Sequence, residues 1–266
     1  MSQAKTTVAK ARASSTVILV REGESGPELL LVLRHAKTSF GASYVFPGGM
    51  LEATDEMIAN QGSGLDAAAA NTVLNLPTGA SAYFSAAIRE LFEEAGVLLA
   101  RTASGYWVDP VPYSNLRDDL NAGRLLWEDF VREKELSLAY DALHYFSFWV
   151  TPREMPKRFS TRFFLAALPG EQEAKHCGGE LTDSRWMGAT EAIAANKAGE
   201  IEIPHPTVLT LQRLSKFDSV EAMLEWAKTC SEAGVACYLP AIVTVDGCRQ
   251  VVMPDSPLYP NYPEGE

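Results

Sequence analysis

Apolar residues near the start of the chain fall in short continuous runs. Thr16–Val20 and Leu29–Leu33 are aliphatic runs separated by Glu22-Gly23-Glu24-Ser25-Gly26-Pro27, which predicts two strands joined by a turn. Residues 53–81 are rich in Ala, Asn and Gly, with weak amphipathic periodicity around Asp66–Leu76. They read as an insertion carrying one or two short helices. Ala82–Ala95 predicts a longer helix, with Gly96 where the chain must turn out of it. Residues 115–143 carry Leu116, Leu120, Leu125, Leu126, Phe130 and Leu136, with Leu116 and Leu120 and again Leu126 and Phe130 four residues apart, which reads as helical.

Further along, Tyr145–Val150 and Phe163–Leu168 are apolar and aromatic enough for core strands, and Leu181–Met187 reads as a shorter one. Helices are predicted over Thr190–Ala198, Pro206–Leu214 and Ser219–Ala233. A last strand pair, Ala241–Val245 and Gln250–Met253, turns at Asp246-Gly247. Strands and helices interleave without an internal repeat, which predicts a layered α/β fold.

The 266 residues can bury a substantial core as one large domain. No apolar run approaches the roughly 18 residues of a membrane span. The net charge of −11 argues against a broad nucleic-acid surface but not against small phosphorylated ligands, since a bound cation inverts the local field. Cys177, Cys230, Cys237 and Cys248 form no CxxC pair and are expected to be reduced, mostly buried thiols. The first 15 residues carry Lys5, Lys10 and Arg12 and no acid, without an apolar stretch of the secretory type. Residues 1–14 are therefore expected to be a disordered start and 261–266 a tail. The ending Pro263-Glu264-Gly265-Glu266 lacks a peroxisomal Ser-Lys-Leu-type address, and a cytoplasmic location is expected.

The most informative segment is Arg89-Glu90-Leu91-Phe92-Glu93-Glu94-Ala95-Gly96-Val97. Glu90, Glu93 and Glu94 are spaced i, i+3 and i+4, so a helix puts them on one face. Adjacent anions repel, and a carboxylate stripe suits a hard cation such as Mg²⁺ or Mn²⁺. Upstream stands Phe46-Pro47-Gly48-Gly49, where glycines let a loop turn tightly and approach a ligand.

Together these residues resemble the Nudix box, Gly-x5-Glu-x7-Arg-Glu-U-x-Glu-Glu-x-Gly-U, with Leu91 and Val97 at the U positions. The resemblance implies a Nudix-type α/β/α sandwich with a mixed sheet, as a single domain over 15–260 with helical insertions at about 53–81 and 112–143. It implies that Glu90, Glu93 and Glu94 bind Mg²⁺ or Mn²⁺, that Arg89 orients box carboxylates, and that Gly48 and Gly49 approach the substrate. A further carboxylate from outside the box is common in the family. Glu180, six residues before Trp186, resembles the downstream glutamate of MutT-type members, with Glu171 and Glu173 as competitors.

The box departs from its pattern in one place. The first acidic position holds Asp55, and 33 residues separate it from Arg89 where the pattern has seven. Glu52 is the alternative occupant of that role. This split box, with Trp149-Val150-Thr151-Pro152, Arg158-Phe159-Ser160-Thr161-Arg162-Phe163-Phe164, Trp186-Met187 and Pro257-Leu258-Tyr259-Pro260, is similar to the subgroup containing nucleoside diphosphate-linked moiety X motif 19. That resemblance implies hydrolysis of the diphosphate of coenzyme A or acyl-CoA to 3′,5′-ADP and the 4′-phosphopantetheine. Arg34, His35, Lys37, Arg158 and Arg162 are then candidates for its 3′-phosphate, with Arg34 and Arg162 taken as the substrate-binding pair, and the two insertions are the expected cavity walls.

The competing readings are an ADP-ribose or nucleotide-sugar diphosphatase, which Pro112 at 15 residues past Val97 would suit, and a non-catalytic nucleotide-binding module. The expected partner is a small-molecule diphosphate, with no nucleic acid and no membrane. A homodimer is compatible with the family.

Overall fold

The structure, a computed structural model, describes residues 8–34, 42–175 and 181–262. The first two strands, β1 (Arg12–Gly23) and β2 (Gly26–Arg34), are longer than their aliphatic cores. They form the expected hairpin, with Val20 opposite Leu29. Strand β1 begins inside the segment expected to be disordered, at Arg12. Its Val17–Val20 stretch is buried on both faces, as a central strand covered by helices requires.

After β3 (Ser43–Val45) and β4 (Gly48–Met50), the first insertion contains α1 (Ala53–Met57), β5 (Gly62–Ser63) and α2 (Ala67–Leu74). The long helix α3 (Ala80–Ala95) follows, then β6 (Ala100–Arg101), α4 (Ser114–Asn121), α5 (Trp127–Glu133) and β7 (Ser137–Ala139). The remaining sheet strands are β8 (His144–Val150), β9 (Phe159–Ala167) and β10 (Leu181–Gly188). Helices α6 (Ala189–Ala198), α7 (His205–Leu214) and α8 (Val220–Ala233) come next. The chain closes with β11 (Cys237–Tyr238) and a hairpin of β12 (Ala241–Val245) and β13 (Cys248–Val252).

The main sheet runs β10-β2-β1-β9-β8-β11, with β3 added to β2 and β4 to β1. It is mixed: β1 runs parallel to β9 and β8 parallel to β11, while the other pairs are antiparallel. The period of two along β1 divides the interior. Val17 and Leu19 pack with Phe84, Ile88 and Leu91 of α3 in one core. Ile18 and Val20 pack with α6–α8 residues such as Ala192, Leu211 and Met223 in the other. The result is the anticipated α/β/α sandwich.

Residues 115–143 depart from the all-helical expectation. After α4 and α5 the chain turns at Glu135, where φ is +50°, and enters β7. That strand pairs with β5 and β6 in a separate three-stranded sheet. Leu136 and Leu138 are buried, so hydrophobic spacing reported burial correctly. It could not tell whether the backbone's partners lie four residues back or on another strand. The closing hairpin agrees with expectation, turning through Asp246 and Gly247 at φ +51° and +80°. Cys230 is half-buried and Cys237 and Cys248 are exposed, all three as free thiols, which corrects the expectation of mostly buried cysteines. Cys177 lies outside the described residues. Among the described residues, no helix is long and apolar enough to cross a membrane.

Candidate active site

Helix α3 buries Phe84, Ile88, Leu91, Phe92 and Ala95 against the sheet. That leaves Arg89, Glu90, Glu93 and Glu94 on the side facing the Gly48-Gly49 strand. Gly96 stops the helix at φ +71°, donating its N–H to the Phe92 carbonyl at 2.9 Å.

Arg89 organises this face. It is 2% exposed, and all five of its N–H donors are used. Nε donates to Asp55 Oδ1 at 3.2 Å; Nη2 donates to Asp55 Oδ2 at 3.1 Å and to the Met50 carbonyl at 2.8 Å. Nη1 donates to Glu90 Oε1 and Glu93 Oε2, each at 3.0 Å. Asp55 is equally committed. Besides Arg89 it accepts Ser85 Oγ–H at 2.9 Å and the Glu52 N–H at 2.9 Å, and Ser85 in turn accepts Trp127 Nε1–H at 3.0 Å.

The split box thus closes in space. The insertion leaves after α1 and returns through α2, whose Asn71 Oδ1 accepts the first N–H of α3 at 3.0 Å. Asp55, not Glu52, fills the first acidic position: Glu52 is 60% exposed and reaches Arg89 only at 3.9 Å.

Glu94 faces the glycine loop. Its Oε2 accepts the Gly48 N–H at 2.8 Å, and its Oε1 accepts Arg34 Nη2–H at 3.2 Å. Arg34 Nη2 also donates to the Gly48 carbonyl at 2.7 Å. A Cβ on Gly48 would stand 2.7 Å from Thr16 Cα, and one on Gly49 would collide with the Glu90 carboxylate. The glycines are therefore what allow β4 to lie between β1 and the acidic helix face.

Burial raises the pKa of all three stripe glutamates. For Glu93 it outweighs the favourable Arg89 charge, Glu90 adds repulsion, and the value is pushed up to about 7. Desolvation likewise raises Glu90 and Glu94, against the opposing pull of Arg89 on the first and Arg34 on the second. Arg89 alone does not neutralise the cluster. The donor set is all carboxylate oxygen, with Glu90 Oε2 and Glu93 Oε1 unengaged among the described hydrogen bonds, which fits a hard divalent cation. No three such side chains among the described residues converge on one point, so a cation here would take part of its shell from water.

The three glutamates line a cavity of about 1350 Å³. Its wall includes Leu125, Leu126 and Trp127 from the second insertion, Trp149 and Phe163 from the sheet, and Ile242 and Val251 from the closing hairpin. The first insertion contributes only Thr54, a correction to its expected role as a wall; its helices brace α3 instead. The closing hairpin and Arg12, which also line the cavity, were missed by sequence reasoning. Neither carries a local signal that would place it there.

The other candidates fall elsewhere. Arg162 is buried with its guanidinium between the rings of Tyr83 and Phe148, at 4.3 and 4.5 Å, and is not on the cavity wall. The expectation that it binds substrate is therefore corrected. Arg158 donates to the carbonyls of Thr151 and Ala9. Glu171 and Glu173 are off the cavity, Glu173 pairing with Lys175 at 2.9 Å. Pro112 sits in a 3₁₀ turn away from the cavity. Glu180, His35 and Lys37 lie outside the described residues.

A family model described as the NUDT19 Nudix domain matches residues 64–214, more than half of the chain. The chain belongs to the NUDT19 Nudix family. Among NUDT19-family relatives, the acyl-coenzyme A diphosphatase NUDT19 of Gallus gallus is 30% identical over 89% of this chain and 74% of its own length. The protein of the same name from Homo sapiens is 32% identical over 65% of this chain and 49% of its own length; the match spans about half of that relative. A crystal structure of a Nudix hydrolase from Alicyclobacillus acidocaldarius superposes with a TM-score of 0.69 at 25% identity, covering 82% of this chain and 97% of that one.

Proposed function

We propose that the chain is a divalent-metal-dependent diphosphatase of coenzyme A and its acyl thioesters, releasing 3′,5′-ADP and the corresponding 4′-phosphopantetheine. One observation carries this reading beyond the relatives' names. The acidic stripe lines a large cavity whose remaining wall is rich in apolar side chains. That shape and polarity suit a ligand with a diphosphate beside a long, weakly polar arm.

In this reading Glu90, Glu93 and Glu94 hold Mg²⁺ or Mn²⁺, which when bound neutralises diphosphate oxygens and lowers the pKa of an attacking water. Arg89 fixes the Glu90 and Glu93 carboxylates by one shared nitrogen and is itself fixed by Asp55. Arg34 and the Gly48 N–H hold Glu94.

The test is hydrolysis of coenzyme A, acetyl-CoA, a long-chain acyl-CoA, ADP-ribose and NADH, each with Mg²⁺, with Mn²⁺ and with chelator, the products identified by mass. Release of 3′,5′-ADP only with metal is expected. AMP from ADP-ribose, with the CoA compounds untouched, would replace this reading by a nucleotide-sugar diphosphatase. Silence across the panel would favour a binding module.

A further inference from the structure

Coenzyme A differs from most dinucleotide-like diphosphates in one respect that a protein can read: a second, terminal phosphate on the ribose 3′ oxygen. A chain of net charge −11 with three clustered glutamates repels that dianion unless a cation faces it. Among the described residues, the lysine and arginine side chains lining the cavity are Arg12, Arg34 and Arg89. Arg89 has no donor left, and Arg34 is held by Glu94 and the Gly48 carbonyl.

Arg12 differs from both. It is exposed, and no carboxylate pairs with it among the described residues. Its guanidinium lies over the Phe159 ring at 5.3 Å, opposite it across the parallel β1–β9 pair. An aromatic face against a guanidinium orients the side chain while leaving its N–H edge available, the edge that matches phosphate oxygens.

The strand supplies the spacing. Arg12, Ser14 and Thr16 share one face of β1 by the period of two and line the cavity together with Ser15. Ser14 Oγ is hydrogen-bonded to Thr161 Oγ1 at 2.6 Å, and Thr16 pairs with Gly48 of the glycine strand. Thr16, beside the glycine strand, and Arg12 are thus two points on one polar row of the cavity wall. Four residues of strand span roughly 13 Å.

Resting on the coenzyme A reading above, we infer that Arg12 is the residue that binds the 3′-phosphate and makes the site prefer coenzyme A to its dephosphorylated form. Hydrolysis of coenzyme A and of 3′-dephospho-CoA by wild type, Arg12→Ala, Arg12→Lys and His205→Ala tests it. His205 serves as control because it lines the same cavity but carries neither a guanidinium nor an ammonium group.

Arg12→Ala should raise KM for coenzyme A about tenfold, the loss of one charge-assisted contact. It should leave kcat and the dephospho-CoA constants unchanged. Arg12→Lys should recover part of the preference, and His205→Ala should keep it. Equal losses on both substrates, or a preference that survives Arg12→Ala, would overturn the assignment.

Calorimetric binding of 3′,5′-ADP against AMP gives the same comparison without turnover. If coenzyme A proves not to be hydrolysed, the function reading fails. The Arg12 assignment still stands or falls on whether the wild type binds 3′,5′-ADP more tightly and Arg12→Ala erases that difference.

Discussion

Asp55 and Arg89 stand 34 positions apart in sequence and form a two-pronged buried ion pair, with Nε to Oδ1 at 3.2 Å and Nη2 to Oδ2 at 3.1 Å. Asp55 is fully buried and Arg89 nearly so. Removing Arg89 leaves the buried Asp55 carboxyl without its cation, and removing Asp55 takes the two-pronged partner from a buried guanidinium that keeps only Glu90 and Glu93; breaking a buried pair costs about 3–5 kcal/mol. Asp55→Ala is therefore expected to lower unfolding stability by that amount in urea, and to abolish turnover because Arg89 no longer fixes Glu90 and Glu93. Glu52→Ala should cost less than about 1 kcal/mol, as an exposed charge at 3.9 Å does. Equal effects of the two changes would contradict the assignment of Asp55 to the box.

Glu93→Gln keeps the shape of the side chain and its hydrogen bond with Arg89 but removes a charge from the cavity wall. Turnover should fall by at least about a hundredfold, the scale of losing part of a metal's electrostatic stabilisation. Glu94→Gln should have an effect of the same order. Thermal unfolding of Glu93→Gln in chelator should not worsen, because the raised pKa of Glu93 means its charge is not comfortably housed. Activity retained in both variants would remove the stripe from the mechanism.

Gly49→Ala places a methyl group against the Glu90 carboxylate. The glutamate must move, and divalent-cation affinity should fall while the sheet stays intact. Titration of Mn²⁺ against turnover checks this: the half-saturating concentration should rise, whereas a loss confined to Tm would point to strand damage instead.

His144 opens β8 and is held below its ordinary pKa of 6.5, first by burial and then by Lys228 of α8. Glu225 of the same helix and Asp141 in the preceding 3₁₀ turn pull the other way. The folded protein thus prefers the neutral ring. As pH falls through 6.5 the unfolded chain takes up the proton first, and stability is lost. Compared with His144→Gln, the wild type should lose Tm between pH 7 and pH 5, with no difference between the two above pH 7.5. A gap that widened on the alkaline side would show the sign to be wrong.

Much of the fold was legible because its signals are local. Short continuous apolar runs marked β1, β2, β8 and β9, and Gly96 marked the end of α3, since a helix stop depends only on neighbouring backbone. The carboxylate stripe was legible for the same reason: one helical turn brings Glu90, Glu93 and Glu94 together whatever surrounds them. Where local signals were equal, sequence could not decide. Asp55 and Glu52 are both acids near the glycine loop, and only the return of the insertion through α2 sets Asp55 under Arg89. Arg162 carried the residue type of a phosphate ligand, yet strand parity turned it toward Tyr83 and Phe148. Arg12 showed no such promise, and register across β1 and β9 put it on the cavity wall. Sequence by itself determined the chemistry of the helix face, because that chemistry needs only spacing along one element. Tertiary structure decided which charges are spent on one another and which stay free for a ligand, because that depends on groups far apart in the chain meeting in space.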